Sequence, residues 1–268
     1  MTLLLTELSD CGIIMGSDSA ISYMKHGRIE KVNEVGWQKV IKFHHPRSLI
    51  GYWGAVGEIT GNRRFDRWID KILKGVDFES SSDLADFIAK QLNIAVGQKP
   101  IANCLGVHVA GYGLWPDGNN RPMFFHVNNG DGQYKITTHR DPNTDEILSV
   151  EKEWVAGPRR LFESNQDFPS QKWTIEQNLR ALKQPYITRN GHFFTYLAFW
   201  QQINEALKFV NLVPNLCIPK SPHKLGPRRG LMNIVLKFMI DIQKLSSEWN
   251  IVGGKVSCVA LGEDGFLH

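Results

Sequence analysis

The sequence predicts an α+β fold in which packed sheets carry helices on their outer faces. Three observations lead there. First, β-prone and helix-periodic stretches come in blocks (strands, two helices, strands, helices, a last strand), not in the alternation that a wound parallel sheet requires. Second, the 268 residues are 42% hydrophobic and 22% charged, a globular balance that supports a sizeable buried core. Third, no linker separates two halves and the closing strand needs a partner, so one domain over residues 1–268 is expected.

The elements follow in order. Leu3 to Leu8 is apolar and β-prone, Ser9-Asp10-Cys11-Gly12 makes a turn, and Ile13 to Met15 returns as a strand, a hairpin with the first residues at its open end. After a polar excursion from Lys25 to Trp37, Lys39 to His44 and Ser48 to Trp53 form a second pair of short strands. Phe65, Trp68, Ile69, Ile72 and Leu73 at helical spacing predict a helix from about Ile59 to Leu73. Ser80 to Asp83 supplies the N-cap of a second helix with Leu84, Phe87, Ile88 and Leu92 on one face. Strands resume at Leu105 to Gly111 and Pro122 to Val127, and the Asn128 to Gly132 turn is expected to join the latter to Gln133 to Thr138. Helices are expected at Thr174 to Leu182, Phe193 to Val210 and Leu231 to Ser246, with a surface loop from Pro214 to Arg229. Gly253-Gly254 and the apolar strand Lys255 to Leu261 close the chain.

Composition excludes several functions. The net charge is +4, and apart from Lys220 to Arg229 the basic residues are scattered, unlike the concentrated face of a nucleic-acid binder. Cys11, Cys104, Cys217 and Cys258 follow no metal spacing, and His44-His45 point to opposite faces of a strand. No apolar run approaches the ~20 residues that cross a bilayer, and no signal-peptide pattern is visible. A soluble protein is expected, located in the cytoplasm, with no nucleic-acid or membrane partner.

The chemistry concentrates near the beginning. Initiator Met is normally removed before a residue as small as threonine, so Met1-Thr2 can mature to a terminal threonine. Its hydroxyl and free α-amine then share one residue, and the amine, with a reference pKa of about 7.7–8.0, can act as base for the hydroxyl. Thr2-Leu-Leu-Leu-Thr6, a turn, and Gly12-Ile-Ile-Met-Gly-Ser-Asp18-Ser19 follow. This segment resembles the start of a mature proteasome β-type subunit, with the Thr2-to-Asp18 spacing matched without a gap. Lys39 in Gln38-Lys39-Val40-Ile41 resembles that family's Lys-Val/Ile strand after an insertion around Met24 to Val35, and Gly54 falls near its oxyanion glycine. Val109-Ala-Gly-Tyr112, Pro122 to Val127 and Gly253-Gly254 continue the likeness, which covers about residues 2–135 and 247–265.

The resemblance, to the proteasome β-subunit-type N-terminal-nucleophile (Ntn) hydrolases and within them to a bacterial-type proteasome-like protein, implies a four-layer αββα sandwich. It also implies a divergent helical and loop insertion at about 160–245, a peptide or protein substrate, assembly into a homo-oligomer, and no metal or organic cofactor. Thr2 is the implied nucleophile, Asp18 and Lys39 set its electrostatics, and the Gly54 N–H meets the oxyanion. A Lys ammonium beside Thr2 would depress the amine pKa by like-charge repulsion, and an Asp would hold that Lys charged. Ile21, Tyr52 and Trp53 are the candidate pocket residues. The chain departs from the family where Ala20 replaces an arginine, and where Ala156-Gly157-Pro158 and Trp249 to Val252 replace hydroxyl-bearing stretches. Three functions therefore stay open: a peptidase, an inactive proteasome-like scaffold, and an Ntn acylase acting on a non-peptide amide.

Overall fold

A computed structural model describes residues 2–25, 28–33, 36–54, 56–61, 64–96, 105–128, 135–140, 147–153, 163–168, 173–183, 186–191, 224–246 and 252–267. The architecture is the four-layer αββα sandwich. The first sheet has the order β12(Tyr186–Gly191), β1(Leu3–Ser9), β2(Gly12–Ser17), β13(Ser257–Gly262), β14(Gly265–Leu267). The second has the order β11(Glu163–Phe168), β8(Asn120–Asn128), β7(Leu105–Leu114), β6(Arg47–Gly54), β5(Val40–His44). Every pairing in both is antiparallel.

The central strand β1 shows why the layers form. All seven of its residues are buried, and successive side chains leave on opposite faces. Leu4 and Leu8 turn inward to meet Met15, Val40, Leu49, Ala110 and Phe124 between the two sheets. Leu3 and Leu5 turn outward and pack with Ile14, Ala260, Met232, Leu236 and Met239, the last three lying on α5(Leu225–Ser246). Each fully buried leucine contributes about 1.5–3 kcal/mol relative to exposure. Helix α5 comes closest at Gly16, where a Cβ would stand 2.5 Å from Leu236 Cδ1; a side chain there would lever the helix off the sheet. On the far side, α2(Phe65–Leu73) and α3(Ser81–Val96) cover Ile50, Tyr52, Val107, Val109 and Phe125 of the second sheet.

Several elements differ from the sequence expectation. The helix expected from Ile59 to Leu73 divides into α1(Gly57–Thr60) and α2, because Gly61 adopts a left-handed φ of 59° that ends the first piece. The stretch Met24 to Val35 includes parts of a separate hairpin, β3(Ile21–Lys25) with β4(Arg28–Asn33). The strand expected to fold back on Pro122 to Val127 does not: β8 pairs with β7 and β11, while β9(Lys135–Arg140) pairs with β10(Ile147–Glu153). Helix α5 begins at Leu225, inside the stretch expected to be a surface loop, since Pro227 near a helix start forfeits no internal hydrogen bond. The helix expected at Phe193 to Val210 lies outside the described residues. Within 160–245, β11 and β12 lie at the edges of the two sheets and α5 forms the outer layer. The capping at Ser80 is as read: its hydroxyl accepts the Asp83 N–H at 3.1 Å. Helix α4(Ile175–Lys183) starts with the reciprocal pair Gln177 N–H to Thr174 Oγ1 and Thr174 N–H to Gln177 Oε1. Among the described residues no helix is long and apolar enough to cross a membrane.

Candidate active site

Asp18 leaves the end of β2 and becomes the hub of a buried cluster. Its carboxylate accepts four hydrogen bonds. Oδ1 takes the Leu3 N–H and the Lys39 ammonium, both at 2.9 Å. Oδ2 takes the Ala20 N–H at 3.2 Å and the Gly253 N–H at 3.1 Å. The Ser19 and Ala20 N–H groups both donate to the Gly253 carbonyl at 3.1 Å, and the Lys255 N–H donates to Ser19 Oγ at 2.8 Å. The approach to β13 is thereby fastened to the turn that carries Asp18, so the Gly253-Gly254 segment belongs to this cluster.

Lys39 sits immediately before β5. Its ammonium is wholly buried, paired with Asp18 and donating also to the Ala20 carbonyl at 2.5 Å. Burial pushes its pKa below the usual lysine value, and the Asp18 carboxylate opposes that shift. An ammonium has three donors, and two are committed here. Thr2 lies one residue ahead of β1 and is buried. The peptide N–H that follows it, that of Leu3, binds the same Asp18 oxygen that holds Lys39. The β1 alternation continues Thr2 onto the inter-sheet face of Leu4.

Gly54 ends β6 with φ 89°, a backbone conformation that disfavours any side chain; this by itself accounts for glycine there. The pocket residues separate. Ile21 opens β3 and is 8% exposed, in one apolar cluster with Tyr52 and Trp37. Tyr52 does not line open space: it is fully buried, its ring 4.8 Å from that of Phe65, because its position in the β6 alternation turns it toward the helices. Its hydroxyl is buried with no hydrogen-bond partner among the described residues, and burial first, then Asp66, raises its pKa above the usual tyrosine value. Trp53 has the opposite parity and is half-buried, its indole N–H donating to His126 Nε2 at 3.2 Å. The indole lies across Gly106, where a Cβ would come within 2.4 Å of Nε1; only glycine leaves room for it.

A second polar group was not foreseen from the sequence. His108 and His126 face inward on β7 and β8, their rings 5.0 Å apart at a right angle. His108 Nδ1 meets Thr6 Oγ1 at 2.8 Å and Nε2 meets Asn190 Oδ1 at 2.6 Å. Burial holds the His108 pKa well below the ordinary value. An amide oxygen can only accept, so Nε2 carries the proton and Thr6 donates to Nδ1. The signal in the sequence was a histidine on the inward parity of two otherwise apolar strands. Among the described residues no cluster of three or more His, Cys, Asp or Glu side chains is arranged to hold a metal ion. The stretches 154–162 and 247–251, where the family carries hydroxyls, lie outside the described residues.

No protein-family model matches the sequence, and no curated protein matches it. Among solved structures the chain is similar to an Anbu (Gly-1) mutant from Hyphomicrobium sp. strain MC1. The TM-score is 0.50 at 11% sequence identity, over 100% of this chain and 84% of that one. A likeness at that identity shows a shared fold and nothing beyond it.

Proposed function

We propose that this chain is a threonine-type N-terminal-nucleophile amidohydrolase that cleaves peptides, with Thr2 as nucleophile after removal of Met1. The observation that carries the reading is the buried Lys39–Asp18 pair bound to the peptide N–H immediately after Thr2. The Thr2 hydroxyl gives its proton to the Thr2 α-amine as Oγ attacks the amide carbonyl. The positive charge of Lys39 disfavours a second ammonium nearby and keeps that amine basic and unprotonated near neutral pH. The Gly54 N–H donates to the developing oxyanion, a role in which losing one donor typically costs about 2.7–4 kcal/mol. The α-ammonium returns its proton to the leaving amine. Water then hydrolyses the ester on Thr2 with the α-amine again as base, restoring the hydroxyl. A soluble, cytoplasmic homo-oligomer is the setting in which we place this activity.

A scaffold without activity is the second reading. The departures at Ala156 to Pro158 and Trp249 to Val252 favour it, because the hydroxyls that would bind the Thr2 amine are absent from those positions.

Intact-mass measurement separates the two. Loss of Met1 is expected; its retention would leave Thr2 Nα acylated, without a base, and would end the hydrolase reading. In the Met-free protein a peptide epoxyketone or β-lactone should add to Thr2, and Thr2→Ala should abolish both adduct and peptide hydrolysis. A Met-free protein that takes no adduct is a scaffold. One that cleaves only small acyl amides is an acylase.

A further inference from the structure

Strand β1 crosses β6 at Leu4, whose Cδ1 lies 2.8 Å from where a Cβ on Gly51 would stand. One step nearer the chain start, the Asp18 N–H donates to the Leu3 carbonyl. The Asp18 carboxylate there meets Lys39, whose own carbonyl accepts from the Tyr52 N–H. The two sheets are thus in register, Leu4 over Gly51 and Leu3 level with Tyr52. The next step sets Thr2 level with the peptide that joins Trp53 to Gly54.

The direction of that peptide follows from strand geometry. The Tyr52 N–H points to the β5 edge of β6, and alternate residues of a strand point the same way. The Gly54 N–H therefore leaves on the β5 edge too, beyond Val40, which opens β5 opposite Gly51. At the other end of the same peptide the Trp53 carbonyl faces Gly106 of β7. Gly54 itself, at φ 89°, offers little stiffness, so the hold comes from Trp53.

The Trp53 side chain crosses β7 toward β8. Its indole N–H donates to His126 Nε2 at 3.2 Å, with the two rings 5.7 Å apart. Beneath it, a Cβ on Gly106 would come within 2.4 to 2.7 Å of three indole atoms. Gly106 carries no positive φ, so the indole, and not the backbone, requires glycine there. His126 is backed in turn by His108, whose ring stands 5.0 Å away and is tied to Thr6 of β1 and Asn190 of β12. The indole is thereby clamped from both sheets.

We propose that Trp53 is a positioning residue for the oxyanion donor. Its clamped indole fixes residue 53, and with it the plane of the 53–54 peptide, so that the Gly54 N–H is held toward Thr2. This role rests on the hydrolase reading above. His126 and Gly106 act only through the indole.

Hydrolysis of a peptide by the Met-free protein, with kcat and KM taken separately per folded molecule, tests it. His126→Leu removes the acceptor and should lower kcat about tenfold, less than the roughly hundredfold or more that follows outright loss of a donor. KM should stay within about twofold. His126→Gln, whose Oε1 takes the place of Nε2, should restore kcat to within about threefold of the native value. Trp53→Phe should match His126→Leu, and the double variant should be no slower than either alone, because both break one bond. Gly106→Ala, which unseats the ring, should lower kcat at least as far as His126→Leu. Undiminished kcat in His126→Leu or Gly106→Ala, no rescue in His126→Gln, or losses that multiply in the double variant would overturn the inference. A native protein that neither cleaves peptide nor takes a β-lactone on Thr2 ends the hydrolase reading, and this role with it. An active native protein with an unaltered His126→Leu ends this role alone.

Discussion

Among the described residues two buried ion pairs engage the first sheet, one across to the second sheet and one to a helix, and they differ in how completely their surroundings satisfy them. Lys39–Asp18 has no exposure at either side chain, and Asp18 collects three backbone N–H groups besides the ammonium. Arg228–Glu7 joins α5 to the outward face of β1 at 2.6 Å, with side chains 11% and 6% exposed. Burial raises the Glu7 pKa, and Arg228 only partly offsets this. A buried pair is weak evidence for stability as such, because desolvation opposes the attraction. The difference therefore points to position: the first pair fixes the strand ends around Thr2, whereas the second fastens a helix to a strand.

Breaking the hub should have the largest effect. Asp18→Ala leaves the Lys39 ammonium in a closed space with the Ala20 carbonyl, and should cost about 3–5 kcal/mol. A lower midpoint in urea unfolding, with the slope unchanged, would register it. A loss below 1 kcal/mol would mean the ammonium escapes to water and the cluster is not rigid.

Arg228→Met is expected to cost less, about 1–2 kcal/mol, because the Glu7 carboxyl, already raised by burial, can take up a proton. It should leave peptide hydrolysis unaltered per folded molecule. Equal losses of stability and activity from both substitutions would erase the distinction between the pairs.

A third buried group, His108, sharpens the comparison through pH. Its folded pKa lies well below the usual histidine value of 6.5, so in acid the unfolded chain binds a proton that the folded chain refuses. Stability is present above pH 6.5 and declines as pH falls from there toward the folded pKa, by at most about 1.4 kcal/mol per pH unit. Thermal unfolding across that window, with His108→Gln flattening the slope, measures it. An unchanged slope in the variant would assign the acid sensitivity to other groups.

Much of this was legible in the chain. The run Leu3-Leu4-Leu5 is apolar at both parities, which only a strand covered on both faces requires. The turn at Ser9 to Gly12, the Ser80 cap and the Thr2-to-Asp18-to-Lys39 pattern were likewise readable, because each depends on residues close in sequence or on a motif. The partners of β8 and β9 were not. An Asn-Gly turn favours a hairpin locally, but pairing is decided by which strand completes the sheet. The early start of α5 was hidden for a similar reason: the Lys- and Arg-rich stretch reads as solvated until Arg228 is seen to meet Glu7.

By itself, then, the sequence determined the α+β class, the apolar strand that begins at Leu3, and the Thr2, Asp18 and Lys39 pattern. Only the tertiary structure decided that Asp18 gathers Leu3, Lys39 and Gly253 at one point, and that Tyr52 is enclosed while Trp53 stays half-open. The physical reason is the range of the forces. Turn and alternation preferences act within a few residues, whereas burial and hydrogen-bond satisfaction depend on segments more than two hundred residues apart.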